Sequence, residues 1–111
     1  MEHDGFLESD WKQYRKHIAT WQENYMKRMN EEYVAILTRD KNPAENFWDL
    51  EKRIHADKKK PGVLIDSRRS KLIENILELL YDEAITMDDL DDFSDVFKET
   101  IQFFTNPNGK R

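Results

Sequence analysis

SDWKQYRKHIATWQENYMKRMNEEYVAILT, residues 9–38, contains neither Gly nor Pro. Its apolar residues fall at Trp11, Tyr14, Ile18, Trp21, Tyr25, Met29, Tyr33, Ile36 and Leu37. The steps are mostly three or four residues, the spacing of one helical face; a strand would alternate every second residue. Ser9 is suited to cap this helix, and Asp10 places negative charge in its first turn, where the helix dipole favours it. A helix over 9–38 is about 45 Å long at 1.5 Å per residue. That is longer than a small domain needs to cover its own core.

Downstream the same signals repeat. Asn42-Pro43-Ala44-Glu45 has the form of a helix start, with a cap, a first-turn proline and an acid that can reach back. A second helix from there would bury Phe47, Trp48, Leu50 and Ile54 and end in Lys58-Lys59-Lys60 before Pro61-Gly62. Asp66 is placed to cap a third helix with a wide apolar face at Leu72, Ile73, Ile76, Leu77, Leu79, Leu80 and Ala84, the most buried element expected. Thr86 and Asp89 form a capping box, and Ile85 and Leu90 a hydrophobic staple, for a fourth helix burying Leu90, Phe93, Phe97, Ile101 and Phe104. Ser94 marks a position for a break within it. Asn106-Pro107-Asn108-Gly109 ends the pattern.

The fold class that follows is all-α: a four-helix, bundle-like single domain over residues 9–105 with an overlong N-terminal helix. Residues 1–8 read as a flexible lead-in and 106–111 as a flexible tail. Composition agrees. The 111 residues include only 3 Gly and 3 Pro, too few for the closely spaced turns of a sandwich or barrel. Charged residues make up 37%, well above the roughly 25% of an average domain. Yet 6 Phe, 3 Trp and 4 Tyr supply the large apolar surface that a disordered chain lacks. The core expected is real but thin.

Several chemistries are excluded or unsupported. With no Cys, disulfides, thiol nucleophiles and thiolate metal sites drop out, in keeping with a reducing, cytoplasmic setting. Residues 1–7 lack the apolar run of a signal peptide, and no apolar stretch approaches the ~20 residues of a membrane span. Glycines at 5, 62 and 109 cannot build either Gly-rich phosphate loop. Ser9, Ser67, Ser70 and Ser94 are not flanked by Gly, as a nucleophile elbow requires. His3, His17 and His55 are scattered, and Glu51 with His55 reads as a surface i,i+4 pair. The run Asp88-Asp89-Leu90-Asp91-Asp92 fails the calcium-loop spacing, because no register gives oxygen ligands at positions 1, 3 and 5 and Gly at 6. No catalytic residue, metal ligand or cofactor is therefore nominated.

Two features remain. Residues 52–71 hold eight basic and two acidic residues, a net of +6, while 74–99 hold ten acids and one lysine, a net of −9. The basic part (Lys52, Arg53, Lys58, Lys59, Lys60, Arg68 and Arg69) is a candidate contact for an anion or a partner. The aromatic stripe of the long helix (Trp11, Tyr14, Ile18, Trp21, Tyr25, Met29 and Tyr33) is a candidate interface, since Tyr and Trp bury area while keeping a polar tip satisfied. The leading expectation is a small non-enzymatic interaction module, a homodimer or a binder of another protein, associating through helix 9–38. The alternative is a small regulatory protein that contacts nucleic acid through 52–71. The chain's net charge of −5 disfavours it, because phosphates repel acidic surface.

Overall fold

The computed structural model describes residues 5–106. Four α-helices follow one another: α1 (Glu8–Thr38), α2 (Pro43–Asp57), α3 (Leu72–Tyr81) and α4 (Asp95–Thr105), with short 3-10 turns at Arg69–Lys71 and Met87–Leu90. The fold is all-helical with a long N-terminal helix, as the spacing predicts. Readings for residues 1–4 and 107–111 lie outside the described residues. Residues 5–8 are not a loose lead-in. Phe6 is buried in the core, and Glu8 opens α1 and pairs with Arg69.

The core lies beside the first half of α1. Tyr14 and Trp21 pack there with Phe6, Leu72, Ile76, Leu79, Ile85, Leu90, Phe93, Phe97 and Ile101. As expected, α3 is deeply buried, with Leu72, Ile76 and Leu79 fully covered. Ile85 and Leu90, the staple pair, are both buried. Beyond Tyr25 the buried residues of α1 cease, and the rest of the helix runs out beside α2. The molecule measures 57 × 30 × 21 Å, with a radius of gyration of 17.0 Å. A compact chain of this length would have about 13 Å. We call the projecting pair, α1 from residue 26 together with α2, the arm.

Polar groups fasten the core's edges. Asp10 is fully buried. Its carboxylate accepts from the Leu7 N–H (2.8 Å), the Ser94 N–H (2.7 Å) and the Ser94 hydroxyl (2.7 Å). One side chain thus ties together the N-termini of α1 and α4, where a negative charge is favoured by both helix dipoles. Ser94 in turn accepts from the Phe97 N–H at 3.1 Å and caps α4. The break foreseen at Ser94 is therefore present: Thr86 and Asp89 start only a 3-10 turn, held by the Thr86 N–H bond to Asp89 at 2.8 Å. Asp66 does not cap α3, which begins six residues later. Its carboxylate instead holds the Arg68 guanidinium, and its carbonyl accepts from buried Asn75 at 2.7 Å. Asn75 also donates to the Tyr14 hydroxyl, which shares a hydrogen bond with Ser67 at 2.8 Å.

The loop after α2 lies flat on Tyr25. A Cβ on Gly62 would stand 2.4 Å from that ring, so only glycine fits. The helix ends at Asp57, before the lysine run, and Lys60 then organises the turn by accepting from Val63 and Leu64.

Candidate functional site

The sequence places Phe47, Trp48, Leu50 and Ile54 inside. The structure reverses this for three of them. Phe47 is 59% exposed and Trp48 58%, Ile54 is also exposed, and the buried residues of α2 are Asn46 and Asp57. The reason is a polar seam between α2 and the outer half of α1. Tyr33 donates to Asp57 at 2.6 Å, and Arg53 donates to the same oxygen at 2.9 Å. Arg53 also bridges to Glu32 and lies 3.4 Å from the Met29 sulfur. One turn from the tip, Arg39 donates to Asn46 at 2.8 Å and pairs with Asp49. Asn46 donates to the carbonyls of Leu37 and Arg39. Asn46, Arg53 and Asp57 are seven and four residues apart, so one face of α2 is polar and turned inward. The aromatics are left facing out. Phe47 and Trp48 meet edge to face, with centroids 5.0 Å apart. On α1, Val34 and Leu37 are exposed as well.

Burial and a carboxylate partner set the chemistry of two tyrosines, Tyr33 in the seam and Tyr25 against the end of α3. Burial, then the hydrogen bond to Asp57, pushes the Tyr33 hydroxyl up to about 12. Burial and Asp82 do the same to Tyr25, also to about 12. Both phenols stay protonated donors throughout the physiological range, a fastening role. His17 bonds to Asp92 at 3.0 Å and stacks on Trp21, and the bond from His17 holds the Asp92 carboxyl below its usual value.

The aromatic stripe proposed as an interface is turned inward. Tyr14, Trp21 and Tyr25 are buried in this chain's own fold. Trp11, half-buried, stacks on Tyr14 at 5.7 Å, and Ile18 packs against the core. Met29 and Tyr33 serve the seam. The stripe fits one continuous partner surface, and the chain itself supplies that surface: core first, then α2. On the arm, the apolar residues open to contact are on other faces: Val34, Leu37, Phe47, Trp48 and Ile54.

The charge segregation also changes meaning once folded. Four of the seven basic candidates are ion-paired within the chain: Arg53 with Glu32 and Asp57, Lys60 with Asp82, Arg68 with Asp66, and Arg69 with Glu8. Lys52, Lys58 and Lys59 make no ion pair among the described residues. Lys52 shares the outer side of α2 with Trp48 and with exposed Glu45 and Glu51, and Lys58 and Lys59 follow in the turn after the helix. No side chain in the sequence signals this directly. The hint was the matching of Asn46, Arg53 and Asp57 to Glu32, Tyr33 and Arg39 across a short turn.

A second apolar surface lies between α3 and α4. A trough of about 610 Å³ is lined by Leu77, Leu80, Tyr81, Met87, Phe104 and Thr105. Phe104, expected in the core, is 57% exposed here, and Tyr81 is 92% exposed. Neighbouring depressions share Leu77 with Glu74 on one side and with Glu78 and Asp82 on the other.

Among the described residues no group of three His, Asp or Glu side chains is placed to hold a metal ion, and no helix is long and apolar enough to cross a membrane. No protein-family model matches the chain, and no curated protein or solved structure is significantly similar to it.

Proposed function

We propose that this chain is a non-enzymatic helical interaction module that self-associates, with the arm as its contact face. The observation that supports this reading is the inversion of α2: its polar residues are packed inward and its aromatics face water. Exposed clusters of Trp and Phe are typical of contact surfaces, where such residues dominate the binding energy. The overlong first helix then has a use, since it carries the face away from the core. This retains association through helix 9–38 but moves the contact to its outer half and to α2.

The second reading, nucleic-acid contact, draws on exposed Trp48 with Lys52 one turn away on α2, a pairing on which a base could stack next to a cation. The intramolecular pairing of four other basic residues and the net charge of −5 weigh against it.

Light scattering on a sizing column tests the first reading. The chain should run as a multiple of its 13.4 kDa mass, and the double variant Phe47→Ala, Trp48→Ala should run as a monomer with unchanged helical circular dichroism. A monomeric parent that shifts labelled single-stranded RNA at low salt, with the shift lost on Lys52, Lys58 and Lys59→Glu, would replace self-association with the second reading.

A further inference from the structure

The charges of α2 divide by the side they face. Asp49 is paired with Arg39, and Arg53 with Glu32 and Asp57, all in the seam toward α1. The carboxylates and ammonium left outside are Glu45, Glu51 and Lys52, each exposed and without an ion pair among the described residues. Glu45, Trp48 and Lys52 follow at i, i+3 and i+7 and form one stripe along the helix. At 1.5 Å per residue, Glu45 stands about 4.5 Å before Trp48 and Lys52 about 6 Å after it. The stripe reads acid, aromatic, base, with the exposed indole at its centre. Such an order is complementary to itself when reversed. Phe47 lies on one flank of Trp48 and Glu51 is one turn beyond Phe47, so Glu51 is off the stripe.

We propose that two copies of the chain pair through α2 in antiparallel orientation, about a two-fold axis beside Trp48, with Glu45 of each copy against Lys52 of the other. This rests on the arm being the contact face and names the orientation and register of the contact. The two rises along the helix differ by only about 1.5 Å, so both ion pairs come level at once. The two tryptophans meet near the axis. The two Phe47 side chains lie next to them, because each is one residue from Trp48 on the same flank. Parallel pairing would instead oppose Glu45 to Glu45 and Lys52 to Lys52, and like charges repel. Exposed ion pairs contribute little affinity. The aromatics supply it, and the ion pairs select orientation and register, as charges flanking a coiled-coil seam do. The contact uses the same patch on both copies, so it closes at the dimer.

Charge reversal tests it, with the dimer Kd read by sedimentation equilibrium and helix content checked by circular dichroism. Glu45→Lys alone and Lys52→Glu alone each turn two attractive pairs into two repulsive ones, so each should weaken the dimer about tenfold. The double variant Glu45→Lys, Lys52→Glu keeps the parent's net charge and rebuilds both pairs with the signs exchanged. It should return to within about twofold of the parent. An equimolar mixture of the two single variants should recover association in the same way. Glu51→Lys makes the same charge change off the stripe and should leave the Kd unchanged. Glu45 also lies in the first turn of α2, but a mere helix-start effect of Glu45→Lys would not be rescued by Lys52→Glu. Single reversals as tight as the parent, or a double variant as weak as the singles, overturn the antiparallel register and leave self-association standing. So does Glu51→Lys if it weakens the dimer as much as Glu45→Lys. A parent that is itself monomeric at all concentrations removes both this inference and the self-association on which it rests.

Discussion

From Trp11 to Tyr25, α1 is covered by α3, α4 and the loops beside them, and what it buries is aromatic and aliphatic. From Met26 to Thr38 the same helix runs beside α2, and what it buries there is a seam of hydrogen bonds and ion pairs. Apolar burial is non-directional and does not depend on the protonation of side chains. Hydrogen-bonded ion pairs depend on geometry, protonation and screening. One continuous helix therefore joins a robust half to a responsive one. The polar seam also leaves the arm's aromatics unused by the fold.

The contrast is most easily broken in the core. Phe97 is fully buried, so Phe97→Ala should lower unfolding stability by about 3–5 kcal/mol, the lost transfer energy plus the cavity. Urea unfolding followed by circular dichroism reads this. A loss below about 1 kcal/mol would mean the core half is not packed as described. Next in size is Asp10→Ala, which strands three donors at two helix starts. Hydrogen bonds to a charged group contribute roughly 1.5–3 kcal/mol, so a loss of about 2–3 kcal/mol is expected. A double-mutant cycle with Ser94→Ala should show strong coupling; additive effects would dissolve the tie between α1 and α4.

In the arm, Tyr33→Phe removes one hydrogen bond to the Asp57 carboxylate and should cost about 1.5 kcal/mol. The sharper readout is its location. Amide exchange should speed up in α2 and leave α3 and α4 unchanged, and uniform acceleration would erase the distinction between the halves. Alkaline pH acts on the seam through Tyr33 and on the tie between α1 and the end of α3 through Tyr25. Tyr25 and Tyr33 titrate near 10 when unfolded and about 12 when folded. Their protons are held more tightly in the fold, so the stability they contribute is fully present below pH 10 and is lost as pH rises from 10 through 12. Absorbance of tyrosinate should show three of the four tyrosines ionising late, because burial raises Tyr14 as well, and the arm should loosen as Tyr33 ionises. The smallest effect expected is a gain. Glu83 sits at φ 60, a left-handed conformation at the end of α3 that favours glycine. Its backbone carbonyl, not its side chain, accepts from Arg28 at 2.7 Å. Glu83→Gly should stabilise by about 0.5 kcal/mol in the same urea experiment, and a loss would show that the Glu83 side chain has a role of its own.

The long helix, the Asn42 cap, the depth of α3 and the Ile85–Leu90 staple were legible because each depends on residues within one or two turns. Asn42 indeed accepts from the Ala44 N–H at 2.7 Å. What local pattern could not reveal was set by residues far apart. Asp10 looked like a surface acid of a first turn until Ser94, 84 residues away, supplied its donors. The second helix misled for a related reason: apolar residues were assigned inward, whereas its buried polar groups are satisfied by partners on α1. The aromatic stripe was found correctly and its neighbour mistaken, since periodicity marks a covered face without saying what covers it. The charge runs, distinct along the chain, partly cancel in space through pairs such as Arg69 with Glu8 and Lys60 with Asp82.

The most direct test of the arm as a contact face is hydrogen exchange of the α2 amides over a dilution series of the unaltered protein. Association through the arm predicts that exchange across residues 43–57 slows as concentration rises, while buried core amides of α1 near Tyr14 do not change. Exchange in α2 that is the same at every concentration would contradict it.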